Sequence, residues 1–205
     1  MSSSRPWLYP GVCTERCPFA SNPLHSPVIG QRTMRVLIAW LLIGSLGGVS
    51  AQPAPEWSVK AVFIYNFTRF VEWPEMAFAG PDSPFIIGIV GADPFGPVLP
   101  EAVAGEKVGT HPIRVQRFQQ IADVKDCHLL YISAKEPEKA REMLAAIPRR
   151  PMLTVGESPT FARQGGMIRF LTMNNKIRLE VNPTTVRAAQ LDISSKLLQV
   201  AQIVD

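Results

Sequence analysis

The stretch LTVGESPTFARQGGMIRFLTMNNKIRLEVN, residues 153–182, decides the fold. Gly165-Gly166 opens an apolar run from Met167 to Met173. Asn174-Asn175 interrupts it, and Lys176 to Asn182 then alternates charged and aliphatic residues with a period of two. Asn tolerates positive φ, so Asn-Asn suits a two-residue hairpin turn. That turn sets the register: 173 faces 176, 171 faces 178, and 169 faces 180. Ile168, Phe170, Ile177, Leu179 and Val181 then share one face, which is core. Met167, Arg169, Leu171, Arg178 and Glu180 share the other, with Arg169 across from Glu180. A face half apolar and half charged either carries a helix or meets a partner.

Outward from the hairpin, the chain alternates strands and helices. Val59, Val62, Phe63, Phe67, Phe70 and Val71 follow helical spacing, with Lys60, Thr68, Arg69 and Glu72 placed opposite and Asn66 on the apolar side. Trp73-Pro74 ends that helix, because the residue before proline avoids αR. Phe85 to Val90 is an uninterrupted aliphatic run, as in a strand covered on both faces. Asp93 before Pro94 reads as a helix N-cap. Gly105 to Pro112 reads as a loop, and Ile113–Phe118, Cys127–Ser133 and Met152–Val155 as strands. Glu136–Ala146 reads as an amphipathic helix stopped by Pro148. Asn182-Pro183 opens a closing helical stretch, whose second half carries Leu191, Leu197, Leu198, Ala201 and Val204 as a stripe. This order predicts an α/β three-layer sandwich. Its mixed, largely parallel sheet has about six strands and a C-terminal β-hairpin, with helices on both faces.

The 205 residues are 46% hydrophobic and 19% charged, a globular composition. Arg32 and Arg35 precede the apolar run Val36 to Leu46, and Val49-Ser50-Ala51 follows. A basic n-region, a short h-region and a small-residue cleavage site predict a secretory signal peptide over 34–51, too short to span a bilayer comfortably. Residues 1–33, ahead of Met34, read as an extension from a start codon placed too far upstream. The mature chain, 52–205, is then one α/β domain bearing 17 Lys and Arg against 16 Asp and Glu. The formal charge of +4 for the whole sequence therefore carries no argument for nucleic acid. Only Cys127 of the three cysteines lies in this part, and one cysteine forms no internal disulfide.

The mature chain has no G-x-S-x-G, C-x-x-C, H-E-x-x-H or P-loop pattern, and no set of polar residues that converges by spacing. The expectation is a binding protein with no cofactor and no catalytic residue. Cys127 and His128 are neighbours on a strand and point to opposite faces, which argues against a metal site with His111. Cys127 remains a redox candidate. Gly156, Glu157 and Ser158 follow a strand where α/β sheets often bind ligands, so they form a candidate ligand loop. Phe161, Met167, Arg169 and Arg178 form a candidate partner-binding patch, since aromatic and Arg side chains are the usual interface anchors.

KAVFIYNFTRFVEWP, IVGADPFG, CHLLYIS, LTVGESPTFARQGGMIRF, IRLEVN and LDISSKLLQVA occur in that order. Together they make a chain that resembles the YfiR-like family of small periplasmic repressors over nearly all of residues 58–204. The resemblance implies an exported three-layer α/β protein that tends to dimerise and is not an enzyme. It implies a repressor that binds the periplasmic part of an inner-membrane diguanylate cyclase or related sensor, lowering cyclic di-GMP and biofilm formation. After signal cleavage no membrane insertion is implied. A second reading is a periplasmic small-molecule-binding accessory of a receptor or sensor kinase. Family members that respond to redox carry additional cysteines, one typically in the first strand, where this chain has Gly88. An intrachain disulfide switch is therefore not expected here.

Overall fold

Helix α1, Glu56–Phe70, lies against the sheet through Ala61, Ile64 and Phe67, all fully buried. The computed structural model describes residues 55–205, which lie in one compact unit. The signal peptide over 34–51 and the upstream extension over 1–33 fall outside the described residues. After the two-residue strand β1, Val71–Glu72, comes β2, Phe85–Gly91. The helix α2, Val98–Ala102, is followed by β3, Lys107–Val108, and β4, His111–Phe118. Then come β5, Leu129–Ser133, α3, Pro137–Ala145, and β6, Leu153–Gly156. The hairpin is β7, Ile168–Met173, and β8, Lys176–Val181. The chain closes with α4, Pro183–Ala188, β9, Asp192–Ile193, α5, Ser195–Gln199, and β10, Gln202–Ile203.

The main sheet has eight strands in the order β10-β8-β7-β6-β5-β2-β4-β3, and β1 pairs with β9 in a separate two-stranded ribbon. The pairs β2–β4, β2–β5, β5–β6, β6–β7 and β8–β10 are parallel, while β7–β8 and β3–β4 are antiparallel. The α/β class, the mixed and largely parallel sheet and the C-terminal hairpin are as the sequence predicted. The count of about six strands was low because the short edge strands β3 and β10 are too brief to leave a period-two pattern. One apolar layer joins α1 to Phe85, Ile87, Ile89, Leu129, Leu153, Val155, Ile168, Phe170, Leu179 and Val181. The other joins α3 to Val90, Phe118, Cys127, Leu130, Ile132 and Phe161. With helices on both faces of the sheet, this is a three-layer arrangement.

The hairpin register is as read: Met173 faces Lys176, Leu171 faces Arg178 and Arg169 faces Glu180. Asn174 and Asn175 take φ of 51° and 57°, the left-handed pair that a type I′ turn requires. Three local readings are corrected. Lys60 and Thr68 are buried and Val62 is exposed, so the inward stripe of α1 runs through 60, 61, 64, 67 and 68. Asp93 does not cap a helix. Its Oδ1 accepts from the N–H groups of Phe95 (2.8 Å) and Gly96 (3.2 Å) in an Asx turn, and α2 starts only at Val98. The stretch 191–204 is not one helix. Gln190 at φ 59° stops α4, Asp192–Ile193 pairs with β1, and Ser194 caps a new short helix through Lys196 N–H.

Candidate functional site

Three places were expected to carry function, and the fold treats each differently. At the C-terminal ends of the parallel strands, Gly156-Glu157-Ser158 is closed over instead of open to a ligand. Gly156 and Ser158 are buried, and a Cβ on Gly156 or on Gly166 would run into the Phe161 ring. Glu157 faces inward and accepts a hydrogen bond from the Tyr131 hydroxyl at 2.6 Å. The Nζ of Lys60, 2% exposed, lies 2.9 Å from Glu157 Oε1 and 2.5 Å from Glu56 Oε1. Its charge also sits over the Trp57 ring, 4.3 Å from the centroid. Burial and the bond to Glu157 together push the Tyr131 hydroxyl far up in pKa, and the hydrogen bond from Lys60 lowers that of Glu56. This network fills the strand ends with a satisfied ion cluster and ties the first turn of α1 to β5 and β6. Sequence reasoning missed Lys60, although its i,i+4 spacing from Glu56 and to Ile64 was visible.

Cys127 is buried in the α3-side layer, and burial pushes its thiol up to about 12. Its Sγ–H has a carbonyl acceptor in Leu129 at 3.0 Å. A Cβ on Gly88 would lie 2.7 Å from Cys127 Sγ. The first-strand position therefore does face Cys127, and glycine there leaves it without a mate among the described residues. Native Cys127 is expected to resist thiol reagents at neutral pH and to react once unfolded. Rapid labelling of the folded protein would contradict the buried placement. Cys127→Ser should cost about 1 kcal/mol or less, because the carbonyl of Leu129 can accept from the hydroxyl.

His128 points to the other side of the sheet. Its Nδ1 accepts from Ile86 N–H at 3.1 Å, and its ring stacks with Phe85 and Phe78, each at 4.8 Å. Burial lowers its pKa from 6.5 to about 4, with Arg150 and His111 acting in the same direction and the Ala77 backbone, then Asp126, against it. The folded state thus keeps a neutral imidazole where the unfolded chain takes up a proton. Stability is complete above pH ~6.5 and falls as pH drops toward ~4, by roughly 1–3 kcal/mol from this group. Urea melts between pH 7 and 4 should lose this slope in His128→Gln. An unchanged slope would assign it to other groups. Among the described residues, no three His, Cys, Asp or Glu side chains are grouped to hold a metal.

The four residues of the expected contact patch separate. Phe161 is fully buried: the short 3-10 turn Phe161–Gln164 folds its ring under Gly156 and Gly166. Met167 is 5% exposed, and its N–H donates to Thr154 Oγ1 at 3.1 Å. Neither is a surface anchor, and that expectation is corrected. Arg169 is half-buried and its Nη1 donates to Glu180 Oε2 at 2.8 Å, so its charge is engaged across the hairpin. Arg178 is exposed. It lines a shallow groove of about 320 Å³ with Leu171, Met173, Val200, Ala201 and Gln202. Met173, Val200 and nearby Ile203 are among the few exposed large apolar side chains of the described residues, at 55%, 65% and 48% exposed. This apolar rim could not be read from the sequence, because Val200 and Ile203 belong to the stretch that had the pattern of a buried helix stripe.

A protein-family model described as YfiR/HmsC-like matches residues 58–202. No curated protein matches the chain. The match spans the sheet, both helical layers and the groove beside Arg178. Among the described residues, no helix is long and apolar enough to cross a membrane.

Proposed function

The chain belongs to the YfiR/HmsC-like family, and from that premise we propose that it is a periplasmic regulatory protein that binds and represses an inner-membrane diguanylate cyclase. The cyclase or a related sensor is held through its periplasmic domain, which lowers cyclic di-GMP and biofilm formation. Export uses the signal peptide over 34–51. The observation that carries the reading is the part of the hairpin's outer face left exposed among the described residues: Arg178 flanked by Leu171, Met173 and Val200. An Arg beside exposed apolar side chains has the composition of an interface anchor. Helix α3 packs on β5 and the 161–164 turn, and among the described residues Leu171 stays partly exposed and Met173 and Arg178 exposed. The protein contributes no chemistry of its own in this role: it acts by differential binding to the inactive partner.

Arg178→Glu tests it. The side chain is exposed, so the melting temperature should stay where it is, while cyclic di-GMP in the producing cells rises and the cyclase disappears from pull-downs. Leu171→Asp should act in the same direction. Unchanged cyclic di-GMP with the partner still bound, or a loss of binding that merely follows a loss of folded protein, would sink the assignment of this face.

A further inference from the structure

A second groove, about 750 Å³ in volume, opens between the C-terminal end of α3 and α4. Its apolar lining comes from Leu144, Ile147, Met152, Met167 and Ala188, and its charged lining from Arg149 and Arg150, with no Asp or Glu. Arg150 is the unusual member. Its Nη1 reaches toward Asp126 at a loose 3.7 Å, and that carboxylate is 88% exposed. The Nε and Nη2 groups, which form the side-on fork of the guanidinium, are shielded from solvent and have no protein acceptor. A buried donor pair without an acceptor is costly, and a planar fork matches a carboxylate bidentately, so a rotation of the partly exposed Arg150 side chain that turns the fork out to the groove gains it an acceptor. The volume lies in the range of small-molecule sites, which combine apolar walls with a few polar groups that fix orientation.

We propose that this groove binds a small amphiphilic carboxylate, with Arg150 and Arg149 holding the acid and the walls from α3, Met152 and α4 taking the apolar body. A neutral ligand would leave the fork unpaired, and a bare inorganic anion would leave the walls wet. The site differs from the Gly156-Glu157-Ser158 loop, which the Lys60 network fills, and it stands whether or not the Arg178 face binds a cyclase.

Titration calorimetry of the protein with decanoate, decanol and inorganic phosphate tests it. Decanoate should bind saturably at one per chain, and both decanol and phosphate should bind at least about tenfold more weakly, since each lacks half of the recognition. Arg150→Gln should weaken decanoate about tenfold, and Ala188→Trp should abolish binding by filling the groove. Should Arg150→Gln lower the melting temperature, the exposed Arg149→Gln carries the charge test instead. Decanol or phosphate binding as tightly as decanoate would overturn the proposal. So would no saturable decanoate binding, or binding indifferent to the arginines and to Ala188→Trp. The readout is binding alone, so failure of the repressor reading leaves the result interpretable.

Discussion

Phe170→Ala is expected to lose about 3–5 kcal/mol of stability, the range for an aromatic side chain removed from a core. Phe170 is 1% exposed on the inner face of the hairpin, directly across from Leu179. Its ring lies 5.8 Å from that of Phe67 in a stacked arrangement and 6.0 Å from that of Phe63, edge to face. The residue is therefore where α1 and the hairpin meet, and its loss opens a cavity between two elements far apart in sequence. A domain of this size has total stability of about 5–15 kcal/mol, so the variant should be partly unfolded at 37 °C. Urea denaturation at 25 °C measures it directly. A loss under ~1 kcal/mol would mean that α1 does not pack on the hairpin as described. The contrast with Arg178→Glu is the useful part. Phe170 and Arg178 are close in sequence on facing strands, one pointing into the core and the other into solvent, so stability and partner binding should separate between them.

That separation was legible in the sequence wherever a period was long enough. The alternation through Lys176–Val181 and the Asn-Asn turn set the register and both faces of the hairpin. The aliphatic run Phe85–Val90 announced a strand covered on both sides, and Asn182-Pro183 announced a helix start whose side chain caps Thr185 N–H. Legibility ended where a tertiary contact overrode a local pattern. Leu191, Leu197, Leu198 and Ala201 have helical spacing, yet left-handed backbone at Gln190 and the pairing of Asp192–Ile193 with β1 break the helix. Phe161 had the look of a surface anchor. The two glycines that leave room for its ring, Gly156 and Gly166, were visible, but not that the chain folds them onto it. The groove at Arg149 and Arg150 was missed because it draws on three separated segments, each unremarkable alone.

Glu157→Ala is expected to cost about 3–5 kcal/mol, because it breaks a buried ion pair from one side. Lys60 Nζ would keep only Glu56, whose side chain is 46% exposed and offers a screened partner. The Tyr131 hydroxyl, which donates to Glu157 at 2.6 Å, would be left unpaired among apolar neighbours. Removing the cation as well reverses most of the damage. In Lys60→Met combined with Glu157→Gln no buried charge remains, the amide oxygen can still accept from Tyr131, and the Met side chain fits the space of the Lys stem under Trp57. Replacing a buried pair by apolar groups of similar volume is often neutral, so the double variant should lie within about 1 kcal/mol of the original. Urea denaturation of Lys60→Met, Glu157→Gln and the double variant gives the coupling energy between the sites. A small cost for Glu157→Ala, or no recovery when Lys60→Met is added to Glu157→Gln, would show that the lysine finds its compensation elsewhere. The strand ends would then be available to a ligand, as the position of the 156–158 loop first suggested.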